Sequence, residues 1–447
     1  MFRTSAWLGC SLALLVGCGA SKTMGGDEDL PDEDSSTTAD GFTPGLESGL
    51  ELDALAETSP TTCKNLECKQ VTCAGGATTT ISGTVFNPAK SDPLYNVVVY
   101  IPNATPAPFK PGVSCEKCGT VSGEPIAAAL SGADGKFRVE NVPAGDNIPL
   151  VIQIGRWRRQ VVIPKVTACT DNPLDGELTR LPKNKKEGDI PLTAIVTSTY
   201  DPTECILRKI GIDDTEFNIS TGRIHLYKGN GSYIGTETPA GTVLWSSLPK
   251  LKNYDLVAFP CSSVASDTTS KQNVIDYANA GGRVFATDLS YPWVDASAPA
   301  PFSGTATWGS GSTANPFTID TSFPKGKALA DWLKNVGATP TYASINLTGT
   351  YARATGVNGA TRKWITNAST VQHFTFNAPV GAAEASQCGR VVYSSFHVAS
   401  GGGSVAFPTN CGAGALTPQE KVLEFMLFDL ASCVQTDKET PKPPPIK

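Results

Sequence analysis

A chain of 447 residues, 40% hydrophobic and 17% charged, is long enough for two or three domain cores and carries few surface charges. Its 36 basic and 42 acidic residues give a net charge of -6, which excludes the basic face that a nucleic-acid partner requires. Three histidines, in neither His-x-His nor His-x-x-x-His spacing, give no basis for a catalytic metal and imply no cofactor.

The chain opens MFRTSAWLGCSLALLVGC. Arg3 precedes an apolar run, Ala6 to Val16, that is shorter than the ~20 residues needed to cross a bilayer. This is the layout of a secretion signal. Its end, Leu15-Val16-Gly17-Cys18, resembles the bacterial lipoprotein box. The resemblance implies a signal peptide over 1–17, a lipidation site at Cys18 carrying chains such as palmitate, and a membrane held through that anchor. An ordinary signal peptide with an incidental Cys is the alternative. Gly19 stands where an Asp often retains such proteins on the inner membrane, so the expected address is the outer membrane, periplasmic or surface-exposed. The segment GGDEDLPDEDSSTTAD has almost nothing apolar to bury, and residues 18–60 read as a disordered acidic tether. Residues 435–447, ending KETPKPPPIK, read as a disordered tail.

Beyond Cys10 and Cys18 there are eleven cysteines, an odd number, so at least one stands outside any disulfide within the chain. Export favours disulfides. The pairing is open at this level. A zinc cluster from SCEKCG and the Cys-rich connector 61–79 is the alternative, because Cys-x-x-Cys spacing suits tetrahedral zinc.

From Thr80 the pattern is short alternating strands: TISGTVFNP, YNVVVYIPN, then SGADGKFRVENVPAGDN with Asp134-Gly135 as a hairpin-turn signal. Gly83, Val85, Asp134, Gly135, Phe137, Pro143 and Gly145 together resemble the carboxypeptidase regulatory-like domain. That resemblance implies a transthyretin-like β-sandwich over 80–187 with no catalysis of its own. An insertion carries Cys115 and Cys118, which can clip it. Arg156, Trp157, Arg158 and Arg159 suit either a sugar or anionic glycan, with Trp157 as ligand candidate, or an edge strand whose charges prevent aggregation.

From Gly188 strands alternate with helices: DIPLTAIVTST, DPTECILRKIG with Asp201 as N-cap, RIHLYKG, YDLVAFPCSS, TTSKQNVIDYANAGG, RVFATD, PKGKALADWLKNVG, GRVVYSSFHV and TPQEKVLEFMLFDLAS. The alternation predicts an α/β domain over 188–434 with a largely parallel, flavodoxin-like sheet. APAPFSGTATWGSGSTANPFTID reads as a long loop over the ligand-facing edge. Tyr254-Asp255, Gly281-Gly282-Arg283 and Gly389-Arg390-Val391, with Tyr393 and His397, resemble the class I glutamine amidotransferase-like fold and the ThuA-like group within it.

Such an enzyme needs a thiolate at the turn after RVFATD. Thr287 and Asp288 stand there instead, and Cys261 follows the preceding strand. Cys261 and Asp288, each with His397, are the catalytic candidates; a buried thiol and a structural histidine are the alternatives. Asp288, Tyr291 and Trp293 can line a sugar-binding crevice, or Trp293 can pack its loop into the sheet. The expected whole is an envelope lipoprotein whose amidotransferase-like domain is catalytically degenerate and binds or scaffolds a glycan or envelope protein. An envelope hydrolase and a purely structural surface protein are the rivals.

Overall fold

The computed structural model describes residues 63–399 and 402–447. The signal peptide 1–17, Cys18 and the tether 18–60 lie outside them.

The first part of the body is built from strands and a few short helical turns. β1 (Thr80–Thr84), β2 (Val98–Pro102), β3 (Pro125–Leu130), β4 (Lys136–Val139), β5 (Gly145–Ile154), β6 (Trp157–Val166), β7 (Asp171–Pro173) and β8 (Gly188–Asp189) form two sheets, and α1 (Gly176–Thr179) precedes β8. The strand orders are β4-β1-β7 and β3-β2-β5-β6-β8. β4 shows the period-2 pattern plainly: Lys136 and Arg138 are exposed, Phe137 and Val139 buried. Ile81 and Val139 of one sheet share an apolar core with Val99 and Ile152 of the other. Asp134-Gly135 does turn the chain. Gly135 has φ +71, and a Cβ there would come within 2.5 Å of Pro93. The turn links β3 in one sheet to β4 in the other, so it closes no hairpin.

The next stretch follows the expected alternation: β9 (Thr193–Val196), α2 (Thr203–Lys209), β10 (Ile224–Tyr227), α3 (Gly241–Trp245), α4 (Leu248–Leu251), β11 (Leu256–Phe259), α5 (Thr268–Asn279) and β12 (Arg283–Thr287). These strands run parallel in the order β10-β9-β11-β12. β9, β11 and β12 are buried throughout, as strands packed on both faces must be. The Asp267 side chain caps α5 by accepting from the Ser270 amide at 2.7 Å.

Past β12 the expectation fails. β13 (Ala306–Trp308), β14 (Phe317–Ile319), α6 (Pro324–Asn335), β15 (Ser344–Ile345), β16 (Ala354–Val357), β17 (Arg362–Thr366), β18 (Val371–Ala378), β19 (Gly389–Ser394) and α7 (Pro418–Ala431) complete the chain. β19 extends the parallel set beside β12, but β18, β17, β14 and β15 continue it antiparallel. The result is one nine-stranded mixed sheet, β10-β9-β11-β12-β19-β18-β17-β14-β15. The expected fold class, a small β-sandwich followed by an α/β domain with a largely parallel, flavodoxin-like sheet, is therefore corrected to a mostly β protein of mixed and antiparallel sheets. The physical reason is connection length. Only residues 367–370 separate β17 from β18, too few for the crossover that parallel strands require. The segment read as one long loop contains β13 and β14, and β13 pairs with β16 in a two-stranded ribbon.

Ten of the eleven described cysteines form disulfides: Cys63–Cys68, Cys73–Cys169, Cys115–Cys388, Cys118–Cys433 and Cys205–Cys411. Cys261 remains a buried free thiol. Cys115 and Cys118 do clip the insertion, each to a distant segment: one to the residue before β19, the other to the chain just past α7. Residues 435–447 lie along the body, where Asp437 bonds Arg390 at 2.9 Å and the Lys447 amide bonds the Pro125 carbonyl at 3.0 Å.

Candidate functional site

In the parallel half the strand order reverses at β9, where the chain goes to β10 on one side and β11 on the other. The crevice beyond the strands' C-terminal ends at such a point collects ligand groups in open sheets. Four loops meet there, after β9, β11, β12 and β19, bringing Asp201, Cys261, Asp288 and His397.

Asp201 is fully buried. One oxygen accepts from the Val398 amide at 2.9 Å and the other from the Thr287 hydroxyl. Burial pushes its carboxyl upward, against the pull of His397. It was expected to cap α2. That helix begins at Thr203 instead, and the carboxylate binds the loops after β12 and β19 together.

β12 runs straight into a 3₁₀ turn, Asp288–Trp293, with Asp288 at φ +43. The Cys261 thiol donates to Asp288 Oδ2 at 3.3 Å, and His397 Nε2 lies 3.7 Å from the same oxygen. The acid thus stands between thiol and imidazole. Among the described residues no hydrogen bond joins His397 to Cys261. The other oxygen of Asp288 is buried with no partner among them. Tyr393 donates its hydroxyl to the Asp288 carbonyl at 2.9 Å. His397 Nδ1 faces the Val398 carbonyl at 2.8 Å, which can only accept, so Nδ1 carries the proton and Nε2 points at the acid.

The electrostatics decide what this cluster can do. Burial, reinforced by the negative charge of Asp288, pushes the Cys261 thiol up to about 12. The thiolate is the nucleophilic form, and at neutral pH almost none exists. Burial also raises the Asp288 carboxyl, while the Cys261 hydrogen bond and His397 oppose that rise.

The ligand candidates separate. Trp293 is 1% exposed, stacks on Phe259 at 4.4 Å and donates its indole N–H to the Ser263 carbonyl at 2.6 Å, so it packs its loop into the sheet. Trp157 is buried against Phe428, 5.6 Å between rings. Tyr291 is half-buried among residues that the sequence reading did not single out. Its hydroxyl accepts from Arg353 at 2.8 Å, and Tyr351 and Trp308 lie 6.1 and 5.8 Å away. These three come from the ribbon and the loop before it, where no periodicity signals a shared surface. The remaining histidines are tied into the fold. His225 bonds Tyr254 at 2.9 Å, and His373, lowered to about 3 by burial, bonds Ser394 at 2.5 Å.

No family model and no curated protein matches the chain. Among solved structures, an interface mutant of a type II cohesin–X-dockerin complex from Acetivibrio cellulolyticus is similar at 18% identity over 27% of this chain and 76% of that one, with a TM-score of 0.16. A cytoplasmic protein from Salmonella typhimurium is similar at 8% identity over 48% of this chain and 90% of that one, with a TM-score of 0.26. A 9R-lipoxygenase from Cyanothece is similar at 15% identity over 24% and 18%, with a TM-score of 0.13.

Proposed function

We propose that this chain is an exported, lipid-anchored protein of the cell envelope that binds or scaffolds and does not catalyse. The observation that carries the reading is the state of Cys261. The one free thiol among the described residues sits at the strand ends, where an amidotransferase-like enzyme would work. It is buried and hydrogen-bonded to a carboxylate, with no hydrogen bond to the His397 imidazole among the described residues. That environment suppresses the thiolate, whereas activation requires a cationic or basic neighbour. Asp288 occupies the turn that such an enzyme gives to its nucleophile. Five disulfides support export, since they persist in oxidising compartments. Acylation at Cys18 supplies the anchor; Cys18→Ala is then expected to move the protein from the membrane to the soluble fraction.

The test is iodoacetamide alkylation of the folded full chain at pH 7 to 8, followed by mass spectrometry. Cys261 should react far more slowly than in the unfolded chain. Rapid stoichiometric alkylation of the folded protein at pH 7 would sink the non-catalytic reading.

A further inference from the structure

Two clefts open where the insertion carrying Cys115 and Cys118 packs against the body. One holds about 690 Å³ and the other about 640 Å³, and Phe109, Lys110 and Arg156 line both. Their carboxylates are already neutralised. Arg156 bonds Glu116 at 2.7 Å and Asp255 at 2.6 Å, and Arg158 bonds Asp189 at 2.9 Å. Arg158 also lies 4.2 Å over the ring of Phe109, a residue that both clefts share. Lys117 in the first cleft donates to the Glu384 and Gln387 carbonyls, but four other lysines are in the opposite condition. Lys110, Lys185 and Lys252 line the second cleft and Lys442 the first; all four are exposed. None has a carboxylate within ion-pair distance among the described residues. The Lys185 ammonium donates only to the Thr221 carbonyl among the described residues. The charge balance points the same way. Residues 19–62 hold eleven acids and one lysine, which leaves residues 63–447 with three more cations than anions.

We infer that these joined clefts bind a linear anionic polysaccharide, with uronate carboxylates meeting the four lysines. The inference rests on the binding reading above and names its partner. Two clefts that share a wall suit an extended polymer better than a flat anionic membrane. Lysines without partners favour anions and add a salt-sensitive attraction. An exported protein meets polysaccharide in preference to nucleic acid.

The test uses the full chain with polygalacturonate as probe. Neutral dextran, a single-stranded oligonucleotide of equal charge and phosphatidylglycerol vesicles serve as competitors. Polygalacturonate should bind, and bind more weakly as salt rises; dextran should not compete. The triple variant Lys110→Gln, Lys185→Gln, Lys252→Gln should keep the parent's melting temperature and lose roughly ten-fold or more in affinity, as three exposed charge contacts imply. The single reversal Lys252→Glu should weaken binding in the same direction. No binding by the parent chain, equal binding by the triple variant, or stronger competition from the oligonucleotide or the vesicles would each overturn the assignment. Cleavage of the polymer would defeat the non-catalytic reading and leave the clefts as its binding site. Absence of binding beside an unreactive Cys261 would defeat the clefts alone.

Discussion

Asp288 does two jobs that one substitution can separate. Its backbone takes a left-handed conformation that most side chains resist and that Asn tolerates well. Its carboxylate faces both Cys261 and His397. Asp288→Asn therefore keeps the turn and removes the charge. Burial will still hold the thiol up, but the contribution of the acid disappears, so Cys261 should alkylate several-fold faster at pH 8 with little change in melting temperature. An unchanged rate would show that the acid does not govern the thiol. Asp288→Val removes the charge as well but asks a β-branched residue to adopt φ +43, at a cost of about 1–2 kcal/mol. The meeting of Cys261, Asp288 and His397 was legible because each follows a strand of the parallel set. The role of Asp201 was not. Asp before Pro at a helix start reads as a cap, and its true partners, Thr287 and Val398, lie 86 and 197 residues away.

Among the elements, those that announce themselves by length or periodicity were legible and the others were not. α5, α6 and α7 carry caps, a proline in the first turn, or both, and appear where the sequence places them. β14 has three residues and β15 two, too few for any period to register. β18 is buried along nearly its whole length, so its antiparallel pairing leaves no alternation to read. Two helical acids make a further point that the residue string hides. Glu424 on α7 and Glu204 on α2 are fully buried, and desolvation lifts them to about 8 and about 7. Glu424 accepts from Asn87 at 2.8 Å, and Glu204 from Asn410 at 2.7 Å. The folded chain thus keeps protons that an unfolded chain releases near pH 4.5. The stability they contribute is complete below that pH and declines as pH rises through 7 and 8. His373 works in the other sense: the unfolded chain protonates it below about pH 6.5 and the folded chain does not. Above pH 6.5 the His373 effect is spent and the two acids act in one direction, so the melting temperature should fall from pH 6.5 to pH 8, with each acid contributing on the order of 1–2 kcal/mol. Glu424→Gln and Glu204→Gln together should flatten that slope in thermal melts. A slope unchanged in the double variant would mean that other groups carry it.

At the scale of the whole molecule, the sequence divides the body at about residue 188, while the packing and the covalent links run across that line. Ile81 and Val99 share one apolar core with Phe285 and Phe428. Trp157 leans on α7, and Asn87 bonds Glu424 on the same helix. Cys115–Cys388 and Cys118–Cys433 then fasten the first part to the last across separations of 273 and 315 residues. Two crosslinks from neighbouring positions on one loop are not independent. Once either has closed, the second restricts far less of the unfolded chain, so their entropic contributions cannot add in full. Cys118→Ser with Cys433→Ser should then lower stability by less than the ~6 kcal/mol that a lone loop of this length suggests. Removing all four cysteines should cost much more than either pair alone. Thermal melts of the two paired variants and the quadruple variant measure this directly. Equal losses that sum to the quadruple effect would show that the links act separately, and that the loop is not held as one clasp.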